Sequence, residues 1–196
     1  MMTIVMASGN VGKIREIARL LADLDVEIVP QSDFGVDDAK ETGSTFEENA
    51  ILKARHAVAA TGLAAIADDS GLVVDALNGR PGVYSARYAG TDASDEENID
   101  KLLTELNGID DRGAAFHCVA CFVAPDETEA IIATGVWRGE ILRERRGDGG
   151  FGYDPIFLDT ESGRASAELT ADEKNARSHR GQALRALVSA LSKRQV

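Results

Sequence analysis

Apolar residues in this chain fall into two kinds of pattern, short continuous runs and stripes repeating every three or four positions. Residues 3–7 are nearly all apolar and read as a first strand. Ile14, Ile17, Leu20, Leu21 and Leu24 share one helical face and predict a helix over 13–24. Val26-Glu27-Ile28-Val29 predicts a second strand, stopped by Pro30. A strand–helix–strand opening is the signature of an α/β fold. A longer helix is expected to start near Ser44-Thr45, since Glu47 and Glu48 each follow a Ser or Thr by three residues, as in a capping box. Phe46, Ala50, Ile51, Ala54, Ala57 and Val58 form its buried stripe, and Gly62 ends it. Ala64-Ala65-Ile66-Ala67 then reads as a short buried strand. Asp68-Asp69-Ser70-Gly71 are turn formers, so the strand is expected to stop there.

In the second half, Ser94 with Glu97 caps a helix whose face is Ile99, Leu102, Leu103 and Leu106. Apolar runs over 115–123 and 131–137 flank the turn Pro125-Asp126-Glu127 and predict a hairpin. Thr170 with Glu173 caps a short helical turn, and Ser178 starts a last helix with Leu184, Leu187, Val188 and Leu191 on one face. The expected fold is α/β, a mixed central sheet flanked by helices. With 196 residues and no repeat or low-complexity linker, the chain is expected to form one domain over 1–196.

Apolar residues make up 44% of the chain and charged residues 28%, which is ordinary for a soluble globular protein. No apolar run is long enough to span a bilayer. The start, Met1-Met2-Thr3-Ile4-Val5, lacks the regions of a signal peptide, so a cytoplasmic protein is expected. A net charge of -12 argues against a broad nucleic-acid or membrane surface. An anionic small substrate would need a local basic cluster, a metal, or both. Cys118 and Cys121 form a C-x-x-C inside one apolar run. Residues three apart on a strand face opposite sides, so the two thiols read as core residues and not as a redox or zinc pair.

Asp68-Asp69 is the first chemical candidate. Adjacent carboxylates repel unless a cation lies beside them. They read either as a divalent-metal and water-activating site or as a solvated turn. Neighbouring strand positions point to opposite faces, which gives the two acids different jobs. Ser8-Gly9-Asn10-Val11-Gly12-Lys13 lies between a strand and a helix, where exposed N–H groups attract phosphate. It is not a Walker A loop, because Ile14 stands where Ser or Thr would hold magnesium. The metal would then be held elsewhere, which points back to Asp68 and Asp69. Lys53 is either one of a solvated helix's charges or a buried functional lysine in an apolar run. Phe151 and Tyr153, on a glycine-rich loop, either grip a flat base or fill the core. His179 and Arg180 open the last helix, where cations oppose the macrodipole unless something negative or a bound acceptor offsets them. His56 and His117 read as structural.

Together these stretches resemble the Ham1/RdgB family of inosine triphosphate pyrophosphatases, also called dITP/XTP pyrophosphatases. The resemblance runs almost end to end. It rests on the loop from Ser8 to Lys13, Thr45-Phe46-Glu47-Glu48-Asn49-Ala50, Ala67-Asp68-Asp69-Ser70-Gly71-Leu72, Pro81-Gly82-Val83-Tyr84-Ser85-Ala86-Arg87-Tyr88, Gly150-Phe151-Gly152-Tyr153-Asp154-Pro155 and Ser178-His179-Arg180-Gly181. It implies two lobes with an active-site cleft between them, a homodimer, and Mg2+-dependent hydrolysis of ITP, dITP or XTP to the monophosphate and pyrophosphate. By the same resemblance Asp69 is the proton acceptor and a metal contact, with Glu41 as a second metal carboxylate; Asp68 joins them as a metal candidate from the reading of the paired acids. Ser8, Gly9, Asn10, Val11, Gly12 and Lys13 hold the phosphates. Ser70, Phe151, Gly152, Tyr153, Asp154, Lys174, His179 and Arg180 fall on substrate positions, and Lys53 joins them as a substrate-binding candidate from its place in an apolar run. Two other readings compete: a Maf-like nucleotide pyrophosphatase, and a nucleotide-binding sensor that does not hydrolyse. The paired acids speak against a sensor, which needs no water-activating base.

Overall fold

The structure, a computed structural model, describes residues 2–9, 14 and 26–193. The helix expected over 13–24 therefore lies outside the described residues apart from Ile14, whose side chain packs against a buried cluster. Seven strands form one sheet in the order β2-β1-β3-β4-β5-β6-β7. They are β1 (Met2–Met6), β2 (Val26–Pro30), β3 (Ala64–Val74), β4 (Gly113–Val123), β5 (Ile131–Ile141), β6 (Phe157–Asp159) and β7 (Arg164–Ala165). β1 runs parallel to β2 and to β3, whereas β5–β6 and β6–β7 are antiparallel, so the sheet is mixed, as expected. Pro30 is the last residue of β2, which lies at the sheet's edge, where a missing N–H is tolerated. Four α-helices lie among the described residues: α1 (Phe46–Thr61), α2 (Asp95–Glu105), α3 (Ala171–Arg177) and α4 (His179–Lys193).

The helix starts follow the sequence signals. Thr45 Oγ1 accepts from the Glu48 N–H at 3.1 Å, and Glu48 Oε2 accepts from the Thr45 N–H at 3.2 Å, which fixes Glu48, not Glu47, as the partner in the box. Ser94 with Glu97 and Thr170 with Glu173 build the same device at α2 and α3. Each such cap stabilises its helix by about 1 kcal/mol. Gly62 ends α1 in the left-handed region at φ 70°, its N–H returning to the Val58 carbonyl at 2.8 Å.

The chain divides into two compact units. The first comprises Met1–Asp69, Cys118–Gly135 and Arg180–Val196. Its part of the sheet is covered on both faces. Ala64, Ile66 and Cys118 pack with Leu184, Leu187 and Leu191 of α4, while Ala65, Ala67 and Cys121 pack with Ala50, Ala54 and Ala57 of α1. The two cysteines thus lie on opposite faces, both free and buried, as their spacing predicts. Alanine on the α1 side lets helix and strand approach closely. The second unit comprises Ser70–His117 and Val136–His179. Its core holds Leu72, Ile99, Leu102, Leu106, Ile156 and Phe157. Phe116, Trp137 and Phe157 form an aromatic knot there, with Phe157 centroids 4.5 Å from Phe116 and 5.0 Å from Trp137. No helix among the described residues is long and apolar enough to cross a membrane.

One sequence expectation fails. Asp68-Asp69-Ser70-Gly71 does not end the strand: β3 runs unbroken from Ala64 to Val74. β3 has sheet neighbours on both sides, β1 and β4. Ladder hydrogen bonds and paired carboxylates there outweigh the turn preference of isolated Asp, Ser and Gly. Within the stretch from Pro81 to Tyr88, residues Gly82–Arg87 form a 3-10 turn.

Candidate active site

Asp68 and Asp69 occupy consecutive positions on β3, so their side chains leave on opposite faces. Asp69 points to α1, and both of its oxygens are engaged from there. Asn49 Nδ2 donates to Oδ2 at 3.2 Å and Lys53 Nζ to Oδ1 at 3.0 Å. Asn49 and Lys53 are one helical turn apart and therefore share a face of α1. Lys53 Nζ also reaches Glu41 Oε1 at 2.8 Å. Its partners are thus Glu41 and Asp69, not Glu47 or Glu48 of its own helix, and its side chain is only 12% exposed. Burial pulls the Lys53 ammonium down, but Asp69, Asp68 and Glu41 outweigh it and hold its pKa above the usual lysine value. Lys53 is a buried cation held among acids.

Asp68 points to the opposite face. Its Oδ2 accepts from Arg180 Nε at 3.3 Å, and Cys118 Sγ lies 3.9 Å away. Asp68 and Arg180 are both almost fully buried. Arg180 is the second residue of α4, so Asp68 supplies the negative charge that a cation at a helix start requires.

The second unit holds another buried ion pair. Lys174 Nζ donates to Asp154 Oδ2 at 2.8 Å. The same oxygen accepts from the Phe151 N–H at 2.9 Å, and Oδ1 accepts from Ser166 Oγ at 2.7 Å. Gly150 adopts φ 78°, and a Cβ there would collide with Asp154 Oδ2, so only glycine lets the carboxylate come this close. The Gly152 N–H donates to Asp95 Oδ2 at 2.7 Å, tying the loop to the first turn of α2. The Lys174 ammonium also sits 4.8 Å from the centre of the half-buried Phe151 ring. Tyr153 differs from Phe151. It is a core residue whose hydroxyl donates to the Ser85 carbonyl at 2.8 Å, and burial pushes its phenol pKa well up. Of the two loop aromatics, only Phe151 is placed to offer a stacking face. His179 is buried with its ring stacked on Phe116 at 4.8 Å and an interplanar angle of 11°.

Ser8 is partly buried and Gly9 exposed at the end of β1. A Cβ at Gly9 would meet Asp38 Oδ2 at 2.5 Å. Asn10, Val11, Gly12 and Lys13, the rest of the expected phosphate loop, lie outside the described residues. Ser70 follows Asp69 on β3 and is partly buried. His56 is exposed, with Nε2 3.1 Å from the Asp37 carbonyl oxygen.

Among the described residues, no group of three His, Cys, Asp or Glu side chains gathers closely enough to form a metal cage. The structure brings Glu41 and Asp69 together through Lys53 and turns Asp68 to Arg180 instead. Two hard carboxylates that leave most positions to water and phosphate oxygens suit magnesium, which seldom takes an all-protein cage. The chemistry of this carboxylate pair is compatible with that ion.

Sequence reasoning missed Asn49 and Ser166 as functional neighbours. Asn49 was legible: it is a polar residue one turn before Lys53, inside an alanine stripe. Ser166 gave no signal, because nothing local ties it to Asp154.

A model of the Ham1 family matches residues 4–190 of the chain. A dITP/XTP pyrophosphatase of Pectobacterium atrosepticum is 58% identical over 97% of this chain and 98% of its own length. Among solved structures, a Ham1 protein from Coxiella burnetii is 53% identical with a TM-score of 0.92, covering 98% of this chain and 100% of that one. The Staphylococcus aureus Ham1 protein is 45% identical with a TM-score of 0.89, over 98% of this chain and 99% of that one.

Proposed function

The chain belongs to the Ham1 family, and on that basis we propose that it hydrolyses non-standard purine nucleoside triphosphates, ITP, dITP or XTP, to the monophosphate and pyrophosphate. Relatives bearing the name dITP/XTP pyrophosphatase over nearly the whole length support this reading. The observation that carries it is the Asp69 carboxylate, fixed on a buried strand by Asn49 and Lys53 with Glu41 alongside.

Asp69 acts as the base that accepts a proton from water. The water oxygen bonds to the α-phosphorus while the bond from that phosphorus to the bridging oxygen breaks. Pyrophosphate leaves with the bond's electron pair, and the proton passes from Asp69 to solvent. Glu41 and Asp69 would hold magnesium, which would supply Lewis-acid neutralisation of phosphate charge. Lys53 keeps the two acids at a fixed spacing. Ser8 to Lys13 would take the phosphates through backbone N–H groups and the Lys13 ammonium. Asp68 serves through Arg180, which it holds in place. Phe151 stacks on the base, and Lys174 with His179 donates toward a 6-keto oxygen. Adenine presents an amino donor at that position, and donor facing donor is penalised heavily. The remaining parts of the proposal are a single catalytic domain over 1–196, a homodimer, a cytoplasmic place of action, and no role for nucleic acid or membrane.

The test is release of pyrophosphate from ITP, XTP, GTP and ATP, with magnesium and with EDTA. Magnesium-dependent release from ITP and XTP well above ATP is expected. Release confined to other bases would favour a Maf-like enzyme. Binding of ITP without pyrophosphate would favour a sensor.

A further inference from the structure

Asn49 is fully buried and uses both ends of its amide. Its Oδ1 accepts from the Gly43 N–H at 2.8 Å, and its Nδ2 donates to Asp69 Oδ2 at 3.2 Å. The orientation of the amide is fixed by chemistry: a backbone N–H only donates and a carboxylate only accepts. Gly43 lies two residues from Glu41, and a Cβ there would meet Asn49 Oδ1 at 2.7 Å, so the loop backbone sits directly on the amide. Lys53, one turn further along α1, makes the parallel connection, from Glu41 Oε1 to Asp69 Oδ1. Each oxygen of Asp69 thus accepts from the same helix face. Each of these donors also holds the segment that carries Glu41.

We infer that Asn49 is a positioning residue for hydrolysis, setting the rotation of the Asp69 carboxylate and locking the Glu41 segment to it. A lysine alone leaves a carboxylate free to turn about its bond to Cβ. A second donor on the other oxygen removes that freedom, which matters because a general base must be aimed at its proton. Since the base, α1 and the Glu41 segment all belong to one compact unit, the bracket is internal to that unit.

The inference rests on the hydrolytic reading of Asp69, and its test separates the two. In Asn49→Ala, kcat for ITP is expected to fall about 10- to 100-fold, the range for residues that orient a functional ligand from behind, with KM changed less than about twofold. Asn49→Asp keeps the shape and can still accept from Gly43 but offers Asp69 no donor, so it is expected to lose kcat likewise. A merely structural role would lower the unfolding temperature of both variants and leave kcat per folded molecule unchanged. Parent-like kcat in either variant, or a loss confined to KM, overturns the inference while the functional reading stands. A parent that releases no pyrophosphate overturns both. Should neither variant fold, the parent decides by NMR: the Asn49 side-chain amide protons are expected to exchange with water far more slowly than those of exposed Asn107. Equal exchange overturns the inference.

Discussion

Asp68 and Asp69 are neighbours in sequence whose side chains leave β3 on opposite faces. Asp68 meets Arg180 at 3.3 Å, and Asp69 meets Lys53 at 3.0 Å. The repulsion that two adjacent carboxylates imply is relieved by buried cations on both faces, and the Lys53 ammonium feels both acids.

This separation makes Asp69 the one to test first. Asp69→Asn keeps the shape of the side chain and removes the basic oxygen. Turnover of ITP is expected to fall by about 10²- to 10⁴-fold, the usual contribution of a general base. The variant should keep its cooperative unfolding transition. Initial rates at saturating magnesium check this, and near-parent rates would assign the base elsewhere.

Lys53→Met should be the more damaging change to stability. It leaves Glu41 and Asp69 facing each other without their shared ammonium. Breaking a buried pair by removing one partner destabilises by roughly 3–5 kcal/mol. With Glu41 28% exposed, the loss belongs near the lower end. Urea unfolding gives the value directly, and a loss within error of zero would mean that water replaces the ammonium.

Phe151 and Tyr153 should separate cleanly. Tyr153→Phe deletes the hydrogen bond to the Ser85 carbonyl, which costs about 1 kcal/mol of stability, and should leave the ranking of ITP, XTP and ATP untouched. Phe151→Ala should instead weaken nucleotide binding by about 1–3 kcal/mol, the worth of one stacked base. Isothermal titration with a non-hydrolysable ITP analogue distinguishes them, and equal effects of the two changes on binding would return Tyr153 to the site.

Acid stability should report on α3, the helix that carries Lys174. The hydrogen bond from Arg164, then those from the Thr170 backbone and side chain, lower the Glu173 carboxyl from 4.5 to about 2. A folded pKa below the unfolded value gives stability that is complete above 4.5 and is lost as pH falls toward about 2. In Glu173→Gln this contribution to the acid slope should vanish. Unfolding midpoints of parent and variant across that window provide the check, and parallel curves would contradict it.

Much of this was legible in the chain. The capping boxes at Thr45, Ser94 and Thr170 are local chemistry and read directly. So does the opposition of Cys118 and Cys121, which follows from strand period alone. The course of β3 was not legible, because whether Asp-Asp-Ser-Gly turns or continues depends on neighbours on either side that propensity does not see. The partner of Arg180 was equally hidden, lying 112 residues away in the chain. Phe151 and Tyr153 look alike in sequence and differ only in what closes over them. Asn49 could have been found by asking why an amide sits in an alanine stripe.

The unbroken course of β3 also bears on how this protein can change over time. On a strand, position along the chain decides the face, so the count of residues matters as much as their identity. One residue inserted within 64–67 would carry both side chains to the other face of β3, taking Asp69 away from Lys53 and Asp68 away from Arg180. Substitutions there can be graded, Val for Ile66 or Ser for an alanine, but a change of length is all or nothing. Lengthening and shortening should instead collect in the exposed connection 125–129, where an added residue displaces nothing buried.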